Sequence, residues 1–156
     1  MSLRRQPVIV VGVATAAALL TAGWMQRLDA RPVPAGDAAA HKAADGHFWA
    51  EAEIDGRSVR LMVDTGASFV ALTPADAARL GVLPPPTAYV QRLRTASGET
   101  RAAPVRLARV AVGDAVIENV EALVVPEGLP HSLLGMSYLG RLSAFEAREG
   151  ALVLRP

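Results

Sequence analysis

From residue 47 onward, polar and apolar positions alternate over short stretches, a pattern that predicts strands rather than long helices. Residues 48–54 and 57–63 flank Asp55-Gly56, a pair that readily takes the positive φ angles of a tight hairpin turn. Residues 69–72 read as a third short strand. Thr73-Pro74-Ala75-Asp76 then opens a helix: threonine caps, proline suits the first helical position, and aspartate meets the positive end of the dipole. Gly81 should end it. Past Pro84-Pro85-Pro86, residues 89–95 and 100–107 form a second hairpin around the tip Ala96-Ser97-Gly98-Glu99. Residues 110–112 pair with 115–125 across Gly113-Asp114, residues 136–142 suit a short helix, and 144–147 with 151–154 close the chain around Glu149-Gly150. Many short strands with one or two short helices predict a mainly β barrel or sandwich.

The N-terminal pattern differs. After Arg4 and Arg5, residues 8–25 carry no charge, and such a helix would be roughly 27 Å long, close to the hydrocarbon thickness of about 30 Å. A cleaved secretory signal has a shorter apolar region and a small-x-small cleavage site. This run is longer and ends Gly23-Trp24-Met25-Gln26, with an aromatic at interface depth, so residues 1–25 are expected to form an uncleaved membrane anchor. Arg27, Arg31 and Lys42 follow it while Arg4 and Arg5 precede it, which leaves orientation open on charge alone. Residues 26–46, rich in Ala, Pro and Gly, read as a flexible tether exposed to self-cleavage, and residues 47–156 as the folded domain.

Composition narrows the chemistry. The 156 residues leave room for one domain, and the absence of cysteine removes disulfide scaffolds, thiol enzymes and Cys-ligated zinc. A net charge of +1 without a clustered basic face gives no footprint for nucleic acid. Aromatics make up only 4%, so the core must be built from Val, Leu, Ile and Ala.

Most acidic residues of the domain fall in turns or on alternating polar positions, but Asp64 does not. It follows the apolar run Leu61-Met62-Val63 and precedes Thr65-Gly66-Ala67-Ser68, so a core strand delivers a carboxylate into a loop of small residues. Burying that charge is costly unless hydrogen bonds or a shared proton accommodate it. On spacing alone, an ordinary turn in which the side chain accepts local amides explains Asp64 equally well.

The wider pattern resembles the retropepsin-like aspartic proteases: Asp64-Thr65-Gly66-Ala67-Ser68 between two apolar stretches, with Leu133-Leu134-Gly135 about seventy residues later. Residues 133–139, Leu-Leu-Gly-Met-Ser-Tyr-Leu, are especially similar to the single-domain, membrane-tethered bacterial branch of that group. The resemblance implies a mainly β acid-protease half-barrel, an inner-membrane location and a periplasmic domain. It also implies aspartic endopeptidase activity on extended peptides without a cofactor. Two carboxylates sharing one proton activate water in such enzymes. This chain offers one Asp-Thr-Gly, so the second carboxylate must come from the partner in a homodimer. By the resemblance, Thr65 locks the two loops across the axis, Gly66 brings its backbone to the carboxylates, and Leu133, Leu134 and Gly135 back the loop. Ala96, Ser97 and Gly98 form a flap. Ala67 replaces a serine hydroxyl that would stabilise the ionised pair.

Other constellations are weaker. His131-Ser132 lacks the Gly-x-Ser-x-Gly elbow of a serine hydrolase, and the lone loop histidine reads as solvated; His47 and His131 lack a carboxylate cluster for a metal; no glycine loop suits a phosphate. Arg92, Arg94, Arg101, Arg106 and Arg109 fall on solvated faces, and would favour acidic substrates if they faced a cleft. Two alternatives from other classes are a catalytically silent domain that binds a protein or peptide in the same groove, and a tethered structural β domain in which Asp64 is only a turn residue.

Overall fold

The computed structural model describes residues 38–95 and 98–156, which form ten strands and two short α-helices. Strands β1 (Ala38–Lys42), β2 (Phe48–Ile54), β3 (Arg57–Val63) and β4 (Val70–Leu72) lead into helix α1 (Pro74–Leu80). Strands β5 (Gln91–Thr95), β6 (Gly98–Val112), β7 (Ala115–Val124) and β8 (Leu133–Leu134) follow, then helix α2 (Met136–Leu139) and strands β9 (Ala144–Arg148) and β10 (Ala151–Arg155). A single 3₁₀ turn at Pro86–Ala88 occupies the proline-rich segment.

Local chemistry sets the elements as the pattern predicts. Asp55 (φ 49°) and Gly56 (φ 79°) turn β2 into β3. Thr73 accepts the Asp76 amide at 3.2 Å, and Gly81 ends α1 in the left-handed conformation at φ 77°. Ala50, Ala52 and Ile54 of β2 and Val59 and Leu61 of β3 point inward, while Glu51 and Glu53 point out.

Pairing closes a barrel. β6, β7, β4, β8, β3 and β2 neighbour one another in that order, and β2 returns to β6 through Glu53 opposite Ala111 and Ile54 opposite Val110. Closure removes free edges from this ring and favours the barrel over the sandwich. Ile54, Leu61, Leu72, Leu107, Leu134 and Leu139 fill it, each contributing about 1.5–3 kcal/mol by its burial. Outside the ring, β1, β10 and β9 extend the sheet beyond β2, and β5 pairs with the start of β6.

Three expectations change. Residues 38–42, assigned to the tether, form β1, held by β10 on one side and β2 on the other. The expected break between residues 107 and 110 is absent, because β6 runs through it. The Asp55 carboxylate accepts the amides of Ala108 at 3.3 Å and Arg109 at 2.7 Å, so this stretch keeps partners although both residues are exposed. The helix expected over 136–142 stops at Leu139. Among the described residues no helix is long and apolar enough to cross a membrane; the expected anchor at 1–25 and tether residues 26–37 lie outside them.

Tyr138 fastens α2 to the barrel. Its ring is fully buried and its hydroxyl donates to the Ala115 carbonyl at 2.7 Å. Burial disfavours the phenolate and pushes the tyrosine up to about 12. Since the unfolded phenol ionises near pH 10, stability due to Tyr138 is complete below that pH and is lost as pH rises from about 10 to about 12. Tyr138→Phe should cost about 1 kcal/mol at neutral pH and flatten this alkaline slope, read by urea unfolding at a series of pH values.

Candidate active site

Two distant segments interlock to present Asp64. β8 lies between β3 and β4, parallel to the first through Met62–Leu133 and Val63–Leu134, and antiparallel to the second through Ala71–Leu133. The Asp64 amide donates to the Leu134 carbonyl at 3.1 Å, and the Met136 amide donates to the Ala67 carbonyl at 2.8 Å. Ser137 adds a clamp, its hydroxyl accepting the Val70 amide at 2.9 Å and donating to the Glu121 carbonyl at 2.7 Å. The loop from Asp64 to Phe69 is therefore tied at its start, middle and end.

The side chain of Asp64 is half-buried, and its Oδ1 accepts the Gly66 amide at 2.8 Å. That bond is the Asx turn weighed from the sequence, and it also fixes the carboxylate while leaving Oδ2 with no hydrogen bond from the described residues. The turn and the catalytic reading are thus compatible. Gly135 sits where the segments press together: a Cβ there would lie 2.1 Å from the Phe69 carbonyl oxygen.

Asp64 borders a cleft of about 470 Å³. Gly66, Ala67 and Ser68 line it beside the carboxylate, and Leu93, Arg94 and Thr95 of the β5–β6 hairpin approach from across it. Its apolar wall includes Phe69, Leu123, Leu129 and Leu133, which pack on a small buried cluster of their own with Ala71 and Val125. Thr65 is exposed beside the cleft, and Leu134 and Gly135 lie buried behind the loop. Gly98 begins β6 at φ 122° with its carbonyl accepting the Thr95 hydroxyl at 2.9 Å; Ala96 and Ser97 lie outside the described residues.

Several cleft residues escaped the sequence reading. Phe69, Leu123 and Leu129 look there like ordinary core positions, and Arg94 was one of five arginines placed on solvated faces. All five are exposed, but only Arg94 lines this cleft. In the loop after β7, Ser132 is only 1% exposed. Its hydroxyl donates to Asp76 at 2.5 Å and accepts the Thr73 amide at 3.0 Å, so it joins α1 to β8. His131 is exposed and meets the Trp49 ring edge-on at 5.0 Å between centroids. Among the described residues no three His, Asp or Glu side chains converge as metal ligands.

Comparison with known proteins agrees with this geometry. The family model described as "gag-polyprotein putative aspartyl protease" matches residues 50–141. An uncharacterized protein encoded in the cobV 5' region of a Sinorhizobium species is 40% identical over 115 residues, 73% of this chain and 49% of its own length. An uncharacterized protein of Rickettsia prowazekii (strain Madrid E) is 39% identical over 113 residues, 72% of this chain and 48% of its own. The chain spans about half the length of these curated relatives. The crystal structure of a retropepsin-like aspartic protease from Rickettsia conorii is similar at a TM-score of 0.66 and 38% identity, covering 76% of this chain and 89% of that one.

Proposed function

The chain belongs to the retropepsin-like aspartyl protease family, and from that premise we propose that it is an aspartic endopeptidase whose active site is completed by two copies of Asp64. The observation that carries this reading is a single carboxylate, held by an interlocked loop at the edge of a largely apolar cleft. One carboxylate cannot act as base and acid at once. Two at a two-fold axis share a proton, since like charges a few ångströms apart do not both ionise; the ionised one draws a proton from water while the other polarises the scissile carbonyl. Thr65, exposed beside the carboxylate, meets its mate from the second copy in this reading. The β5–β6 hairpin covers an extended peptide and excludes water.

Within this reading, residues 8–25 anchor the chain in the inner membrane and the domain works on the periplasmic side, a placement supported by the uncharged run and by the family resemblance. Cutting of the tether falls outside β1, whose residues 38–41 pair with β10 and 41–42 with β2.

The test is incubation of the full chain in detergent with a mixed peptide library, beside Asp64→Asn. Cleavage that vanishes in the variant supports the protease. Peptide binding without cleavage supports the silent binding module, a reading favoured by the ordinary Asx turn that Asp64 makes with Gly66. Absence of both leaves Asp64 as a turn residue. A further prediction concerns Ala67, half-buried beside Asp64. Ala67→Ser adds a hydroxyl that donates to the ionised pair, so the optimum of the pH–rate profile should move to lower pH; an unchanged or raised optimum counts against that role.

A further inference from the structure

Asp64's cleft carries a second charged side chain whose sign is opposite. Arg94 stands on β5, lines the same cavity, and is the only basic residue among the described residues that does so. Among the other arginines, Arg92 and Arg101 face each other across the β5–β6 hairpin, Arg109 pairs with Glu53 at 2.8 Å, and Arg60 lies over the Trp49 ring at 4.5 Å; none of these lines the cavity. Glu99 stands opposite Arg94 on β6, yet Arg94 makes no salt bridge among the described residues. Arg94 is exposed, so its long side chain is open to a ligand at the rim of a cavity whose lining is mostly apolar.

We infer that Arg94 is a specificity-determining residue that selects peptides carrying a carboxylate side chain near the bond to be cut. The inference rests on the peptide-cleaving reading and adds a substrate class to it. An extended peptide sends successive side chains to opposite faces. Those directed at Phe69, Leu123 and Leu129 meet apolar surface, and one directed at the hairpin meets a guanidinium built for two-point pairing with a carboxylate. An uncharged cleft of this kind would take apolar peptides without regard to charge. With Arg94 at its rim, peptides of the same length that differ only in Glu or Gln are distinguished.

The experiment uses fluorescein-labelled peptides of apolar, extended sequence in which one Glu is stepped through each position, each beside its Gln twin. For the full chain, kcat/KM at low salt should favour Glu over Gln by about three- to fivefold at one position, the range for an exposed ion pair, and the gap should shrink at high salt. Arg94→Gln should erase the preference, Arg94→Lys keep part of it, and Arg94→Glu turn it toward a Lys-bearing peptide. The same peptides are titrated by fluorescence anisotropy against Asp64→Asn, which reads selection without cleavage. If the full chain cuts nothing while Asp64→Asn binds the Glu peptide more tightly in an Arg94-dependent way, the protease reading fails and what stands is Arg94's selection of carboxylate-bearing peptides for binding. Equal treatment of Glu and Gln twins, a Glu preference that survives in Arg94→Gln, or no binding of either peptide overturns it.

Discussion

Gly135→Ala is expected to destabilise the domain by about 3 kcal/mol or more, lowering the thermal midpoint by roughly 10 °C. The backbone at Gly135, with φ −97° and ψ −172°, is open to any residue, so the cause is space rather than conformational freedom. A Cβ would stand 2.1 Å from the Phe69 oxygen, 2.6 Å from the Phe69 carbonyl carbon and 2.7 Å from the Ala67 oxygen. All three are backbone atoms of the loop that carries Asp64, so no side chain can swing aside to relieve the overlap. Relief requires the loop to move off β8. That movement strains the 2.8 Å bond from Met136 to Ala67 and the 3.1 Å bond from Asp64 to Leu134, and the carboxylate travels with it. Urea unfolding gives the stability change, and a loss below about 1 kcal/mol would show that the two segments are less tightly pressed than these distances require.

The second large effect is catalytic. Asp64→Asn should lower kcat by about a thousandfold or more, since general acid–base groups typically contribute 10²–10⁴ and an amide can neither share the proton nor accept one from water. The fold should survive, because the asparagine oxygen still accepts the Gly66 amide, and unfolding should shift by no more than about 0.5 kcal/mol. If each active site takes one carboxylate from each of two chains, activity follows the square of the wild-type fraction. Wild-type and Asp64→Asn chains co-refolded in equal amounts should then retain about a quarter of the wild-type activity at the same total concentration. A value near one half would mean that each chain cleaves alone.

The sequence reading was strongest where local chemistry decides structure. Asp55-Gly56, the Thr73 cap and Gly81 act through their own backbone angles and nearest amides, so the first hairpin and α1 could be read within a few residues of their ends. β1 was missed because Ala38-Ala39-Ala40-His41-Lys42 has little strand preference of its own and owes its conformation to partners on both edges. β6 was divided because Ala108 and Arg109 are exposed in succession, and the side chain that holds them is Asp55, more than fifty positions earlier. The same division runs through the site. Asp64 and Gly135 stand out by context, whereas Phe69, Leu123 and Leu129 are apolar residues whose role depends on which side of the barrel they face. Arg94 needs the fold to separate it from four other arginines.

The interlocked loop also sets the order of events as the chain is made. β3 and β4 are synthesised early, but the strand that lies between them is Leu133–Leu134, so until those residues have left the ribosome the Asp64 loop has only its own local turn and no strand to fasten it between β3 and β4. Long-range pairings of this kind form late because a large loop must close first. The nascent chain therefore carries its carboxylate through about seventy further residues of synthesis without an organised site around it, and its neighbours in the cell meet a finished cleft only after Leu133 and Leu134 have arrived.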